Sequence, residues 1–199
     1  QEMRNALYQG NATVLINRLA KMKVFIDATE DTIPANHMKD RYLVLRFVAF
    51  YMWQKGITKD VDTNEVLEYR SNLEDFLGKT MRFLNRLDSE NDLFKELEFR
   101  FAKAMELASQ LIPLGGFRLP SSSGKKRPIN MAFFESFSYL LSNLTGDKEL
   151  LNGKIKQAYM QLMHESQYLD TLTHSVDSGT QTDERYKIIN QYISELNLC

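Results

Sequence analysis

Apolar residues along this chain recur three and four positions apart rather than alternating, and that period predicts helices throughout. Asn11 can cap a first helix carrying Val14, Leu15, Arg18 and Leu19, which fades in the polar stretch 29–36 around Pro34. The most apolar helix runs over 37–54. Its Tyr42, Leu43, Leu45, Phe47, Val48, Phe50, Tyr51 and Met52 leave no wide polar face, the pattern of a helix surrounded by others. Ser71-Asn72-Leu73-Glu74 has capping-box spacing, and Phe76, Leu77, Leu84 and Leu87 continue its apolar face. Gly78 weakens that helix. After Asp92, the stripe Phe94, Leu97, Phe101, Met105, Ala108 and Ile112 predicts another helix, ending at Pro113 and Gly115-Gly116.

The stretch 114–127, rich in Ser, Gly and Pro, reads as one long loop dividing the helices into two groups. Pro128 suits a first helical position, and Phe133, Phe137, Leu140, Leu141 and Leu144 line the face of the helix that follows as far as Gly146. Asp147 can cap the next, which turns Leu151, Ile155, Tyr159, Leu162 and Met163 inward and leaves Lys148, Lys154 and Lys156 wet. Beyond the polar segment 173–182 a last helix offers Ile189, Tyr192, Ile193 and Leu196. The expected fold is all-α, a compact bundle of about seven to eight helices in a single domain spanning 1–199. No repeat of fixed period is present.

Composition narrows the class. With 199 residues, 43% hydrophobic and 26% charged, the chain can bury roughly 70% of its unfolded surface without disulfides or structural metal. A lone cysteine, Cys199, makes no internal bridge, and neither a membrane-length apolar run nor a leader pattern occurs, so a reduced, cytoplasmic setting is expected. The chain opens at Gln1 with residues that already read as a helix in progress, so a fragment of a longer protein is expected.

Net charge is −1, yet the sequence between Pro113 and Pro128 holds no acid and four cations, Arg118, Lys125, Lys126 and Arg127. Set among small residues, these can reach phosphates, which makes them candidate DNA-binding residues. Against that stands the ordinary reading of a short basic loop as solvated surface, since neither a second basic stripe nor interleaved aromatics accompany it. Catalytic and metal chemistry finds no pattern. Gly124-Lys125-Lys126 lacks both the glycine a phosphate-binding loop needs, where Leu119 stands, and its closing Ser or Thr. His37, His164 and His174 have no ligand spacing, no Gly-x-Ser-x-Gly elbow occurs, and Asp177-Ser178-Gly179 reads as a turn. Arg46, inside the most apolar helix, either points to a seam at the bundle surface or meets a carboxylate within; a structural role is the expectation. The aromatics, 12 Phe, 9 Tyr and 1 Trp, are expected to be mostly core at these helical spacings, with Tyr51 and Trp53, near that helix's end, the pair that can instead face a missing neighbour domain.

Three blocks carry a family resemblance: Gln1-Glu2-Met3-Arg4-Asn5-Ala6-Leu7-Tyr8-Gln9-Gly10; Met38-Lys39-Asp40-Arg41-Tyr42-Leu43-Val44-Leu45-Arg46-Phe47-Val48-Ala49-Phe50; and Phe117-Arg118 with Ile129-Asn130-Met131-Ala132-Phe133-Phe134-Glu135. Together they resemble the helical C-terminal portion of GmrSD-type restriction proteins with a ParB-like nuclease domain, a family long labelled as of unknown function. The resemblance extends from Gln1 to about Phe134 and more loosely over 178–186; its first block is moderately specific, the rest mostly packing residues. In that family a mixed α/β domain with an Asp-Gly-Gln-Gln-Arg motif precedes such a block. The motif is absent here. The resemblance therefore implies a chain without catalytic residues or cofactor of its own, supporting nucleotide-dependent recognition or cleavage of foreign DNA by a missing N-terminal domain in bacterial phage defence. Nucleotide and divalent metal would belong to the full-length protein, as would any endonuclease activity. Arg4 and Asn5 would meet that domain, Arg118 and Lys125 to Arg127 would help position DNA, and no membrane partner is implied. Self-association stays open. The alternative is a non-catalytic helical protein-protein interaction module.

Overall fold

The computed structural model describes residues 9–33, 38–121, 124–146 and 148–198, and all of the regular structure in them is helical. The described residues form nine α-helices, α1 (Asn11–Ala20), α2 (Lys23–Ala28), α3 (Lys39–Gln54), α4 (Leu73–Arg86), α5 (Asp92–Ala108), α6 (Met131–Asn143), α7 (Lys148–Leu162), α8 (Ser166–Thr173) and α9 (Gly179–Leu198). A 3₁₀ segment, Ser109–Leu114, extends α5. The all-α bundle expected from periodicity is what forms. None of the helices is long and apolar enough to cross a membrane, among the described residues.

Two helices form the axis. Every residue from Leu43 to Met52 in α3 and from Ala132 to Ser142 in α6 is buried, so both are enclosed on all sides. They pack on each other, α5 and α9 cover α6, and α1 and α4 cover α3. Aromatic rings fill the layers between them: Phe47 lies 5.1 Å from Phe101, and Phe50 stacks on Tyr186 at 5.5 Å, with Phe76 and Tyr69 at its edges. Burying rings of this size is the main source of stability in such a core.

Several boundaries differ from those the sequence suggests. The first helix breaks at Met22, whose extended backbone caps α2, although neither Gly nor Pro marks the place. Asn11 does not cap α1; Gly10 stands there, and the Asn11 amide donates to the Leu87 carbonyl instead. The capping box slips by one residue, because Asn72 accepts from the Asp75 amide while Ser71 accepts from the Gly179 amide at 2.6 Å. α6 begins at Met131 under an Asn130 cap rather than at Pro128. An additional helix, α8, forms between α7 and α9, and a second long irregular segment, 55–72, carries an isolated Lys59–Val66 bridge. Tyr51 and Trp53 belong to the core, as expected of most of the aromatics, and not to an outward face: Tyr51 is fully buried with its hydroxyl on Glu96, and the partly buried Trp53 packs against Phe50, Tyr69 and Tyr186. Arg4, Asn5, Pro34, His37, Asp147 and Cys199 lie outside the described residues.

Candidate functional site

The basic loop is built on one aromatic anchor. Phe117 is buried among Phe133 and Phe134, 4.7 Å from the latter, and its carbonyl accepts from the Asn130 amide at 2.9 Å. That bond closes the neck of a loop over 118–129 and fixes its two ends, while Gly124 to Pro128 are exposed. Asn130 then caps α6 through the Phe133 amide and ties it to the Leu172 carbonyl. Gly115 is needed at the entry: its φ is 115°, and a β-carbon there would come within 3.1 Å of the Tyr159 hydroxyl.

Placed directly after the anchor, Arg118 turns inward and is 5% exposed. Its Nη1 donates to Glu30 at 2.5 Å and its Nη2 to the Thr32 hydroxyl at 2.7 Å. Lys126 donates to the other oxygen of Glu30. The Lys126 hydrogen bond is the largest reason that the Glu30 carboxyl titrates below its ordinary value; burial opposes it, and the charge of Arg118 adds to it. Lys125 and Arg127 are exposed and form no ion pair among the described residues.

Two clefts flank this loop. One, of about 490 Å³, is lined by Thr32, Lys39 and Leu43 on one side and by Arg118, Lys126, Arg127, Ile129 and Met131 on the other. Its neighbour, of about 400 Å³, shares Arg118, Lys126 and Arg127 and adds Lys125, Tyr159, Met163 and His164. Neither is lined by an Asp or Glu among the described residues. Lys39 opens α3 and Met131 opens α6, so two helix N-termini, the positive ends of their dipoles, border the first cleft. The arrangement can hold an anion against a partly apolar wall. Of the four loop cations singled out in sequence, the structure gathers all four at these clefts; Glu30, Thr32 and Lys39 complete the site and carried no local signal.

A second polar centre lies deep between α3, α6 and α9. Arg46 meets a carboxylate inside: its Nε donates to Glu135 at 2.5 Å and its Nη2 to Asp177 at 2.9 Å. Glu135 is fully buried, and Arg185, also fully buried, stands 3.8 Å from its other oxygen. Burial alone would lower the Arg46 pKa, but the charge and hydrogen bond of Glu135 more than offset it, so the guanidinium titrates well above its ordinary value. Arg185 spends its donors on the Thr171 and Val176 carbonyls and the Thr182 hydroxyl, which holds the α8 to α9 turn. Tyr69 donates to the Asp177 carbonyl from the opposite side. The turn read at Asp177-Ser178-Gly179 is thus a docking point. Through Arg46 and Arg185 this centre ties α3, α6 and the α8 to α9 turn together as a clamp, although the Arg185 Nε and the second Glu135 oxygen have no hydrogen-bond partner among the described residues.

The histidines go elsewhere: His164 contacts the Met160 carbonyl, and His174 pairs with Asp170 at 2.8 Å. Among the described residues no three His, Cys, Asp or Glu side chains come together as a metal site. Comparison with known proteins returns no match, whether to a family model, a curated protein or a solved structure.

Proposed function

We propose that this chain is a non-catalytic helical domain that holds nucleic-acid phosphate in the basic clefts beside the 118–129 loop. The observation that carries the reading is the pair of clefts lined by Lys39, Arg118, Lys125, Lys126 and Arg127, with no Asp or Glu in the lining among the described residues. Lysine and arginine around a concave, partly apolar wall supply the sequence-independent attraction that dominates binding to DNA. The sequence resemblance gives the biological frame: the helical C-terminal portion of a GmrSD-like bacterial defence protein, working in the cytoplasm, with nucleotide, metal and nuclease chemistry on a separate N-terminal domain that Arg4 and Asn5 would meet. Labelled-duplex anisotropy at several salt concentrations tests it. Charge reversal at Lys125, Lys126 and Arg127 should weaken binding and reduce the slope of log K against log salt by about 2–3, at roughly 0.9 for each phosphate no longer neutralised. Unchanged affinity and slope in that variant would remove the reading.

A second reading, a protein-interaction module, is favoured by Phe99 and Val14, which are 64% and 60% exposed on α5 and α1, helices bridged by the Arg18–Glu98 pair. It predicts salt-insensitive association that Phe99→Ser abolishes and that the loop charge reversals leave intact.

A further inference from the structure

Glu30 lines neither cleft, yet it already holds two of the cations that do. Its two oxygens engage Arg118 and Lys126, two of the three cations shared by both clefts, and Thr32 takes a second Arg118 donor. Arg118 is buried, so an external anion can reach its guanidinium only through the cleft walls that Arg118 itself lines. A carboxylate bridging an arginine and a lysine reproduces the contacts a phosphate makes with the same pair. The Lys126 arm is open to exchange, because its side chain is 56% exposed.

The backbone presenting that carboxylate is strained. Glu30 and Asp31 are consecutive residues with φ of 56° and 51°, a left-handed conformation that L side chains avoid and that glycine or asparagine would hold more easily. The α2 terminus imposes it: the Glu30 amide donates to the Asp27 carbonyl and the Asp31 amide to the Ile26 carbonyl, a tight reversal that turns the Glu30 side chain toward the loop. Strain of this kind persists where surrounding contacts over-determine it, and releasing those contacts releases the strain. Because its carboxyl titrates below the ordinary value, Glu30 remains ionised at neutral and mildly acidic pH.

We propose that Glu30 is a displaceable internal counter-anion, and that a nucleic-acid phosphate entering the cleft takes Arg118 and Lys126 from it. The residues after α2 thereby gate the site. An incoming phosphodiester must compete with a tethered carboxylate, so weakly held nucleic acid is rejected and only a strand that also engages Lys125 and Arg127 gains the buried arginine. The inference rests on the phosphate-binding reading and assigns that site its regulation.

The test is duplex anisotropy as a function of salt for wild type, Glu30→Gln, Glu30→Gly, Asp31→Asn and the pair Lys125→Glu/Arg127→Glu. Removing the Glu30 carboxylate should raise affinity about tenfold at low salt, on the order of one charge-assisted hydrogen bond, and steepen the salt slope by about 0.9. Asp31→Asn changes net charge equally one residue away, where the side chain is exposed, and should leave the slope unchanged. Glu30→Gly suits the local φ and guards against a misfolded glutamine variant. If wild type binds through Lys125 and Arg127 but neither Glu30 variant exceeds Asp31→Asn, the gate is overturned and the binding surface stands. If neither wild type nor the Glu30 variants bind duplex at low salt, the phosphate-binding reading falls, and the gate with it.

Discussion

Neutralising Glu135 is the perturbation whose size the structure fixes best. Glutamine keeps the volume and one acceptor, so Glu135→Gln creates no cavity and its cost is electrostatic. The side chains involved are 0% exposed for Glu135, 4% for Arg46 and 0% for Arg185, so two guanidiniums lose a carboxylate where water cannot replace it. Removing one partner of a buried pair costs about 3–5 kcal/mol. Two features set where in that range the value falls. Serving a second guanidinium at 3.8 Å raises it, whereas the remaining Arg46 contact to Asp177, whose side chain is 48% exposed, lowers it. The expected loss is about 4 kcal/mol, or a fall in Tm of roughly 8–16 °C for a chain of this length. Asp177→Asn, on the solvated side of the same arginine, should cost less than about 1 kcal/mol. Arg46 titrates above its ordinary value, and a cation with a raised folded pKa loses its contribution only as pH rises through that value. The Glu135→Gln penalty should therefore stay constant between about pH 6 and 9. Urea unfolding followed by circular dichroism measures both variants. A loss below about 1 kcal/mol for Glu135→Gln, or one no larger than for Asp177→Asn, would refute the claim that this carboxylate carries the clamp.

The loop and its neighbours give three further expectations. Phe117→Ala, which empties the anchor between Phe133 and Phe134, should cost about 3–5 kcal/mol and lower phosphate affinity together; a loss of stability with unchanged affinity would show that the anchor does not position Arg118. Ser71→Ala removes the acceptor for the Gly179 amide and should cost about 1 kcal/mol while accelerating hydrogen exchange at that amide; slow exchange in the variant would mean that the helix start is held by the Asp177 and Ser178 contacts without Ser71. Glu30 has a depressed carboxyl pKa, so its ion pairs stabilise the fold above the ordinary value of 4.5 and lose that contribution as pH falls through the folded value. The stability difference between wild type and Glu30→Gln should be constant from about pH 6 to 8 and shrink as pH falls below 4.5; a difference that does not change with pH would show that the Glu30 charge does not contribute it.

What the sequence made legible follows from which forces are local. Helices α3 and α6 could be read because burial on every side removes polar residues from every face, and Arg46 stood out against that background. Its partner did not, since Glu135 is 89 residues away and looks like any other glutamate until two buried helices are set side by side. The basic loop was visible as an acid-free stretch, but Glu30 and Thr32 sit in an ordinary polar segment, and only the fold places them against it. Capping shows the limit of spacing rules. Ser71 and Asn72 both satisfy a capping pattern locally, and the choice fell to Asn72 because the Gly179 amide, 108 residues on, takes the Ser71 hydroxyl. The break at Met22 had no Gly or Pro to mark it; two short helices there let α1 face α3 and α4 while α2 lies on α5, a tertiary demand that overrides propensity.

The clamp and the cleft share two helices. Lys39 at the start of α3 and Met131 at the start of α6 both line the cleft, and Arg46 and Glu135 lie seven and four residues further along those helices. At a rise of about 1.5 Å per residue, the ion pair joins the two helices roughly 10 Å and 6 Å below the cleft rim. Packing of the enclosed faces already resists sliding of α3 against α6, and a hydrogen-bonded pair adds a directional penalty on other registers. If the buried charge helps to fix the register of α3 against α6, disrupting it should also change the cleft that Lys39 and Met131 line. A volume-matched Arg46→Met/Glu135→Leu variant separates this role from stability. It should recover about 1 kcal/mol or more of the Glu135→Gln loss, because neither member of the pair is left unmatched, yet still bind phosphate more weakly than wild type. Wild-type affinity in the repacked variant would reduce the pair to a structural contact with no bearing on the cleft.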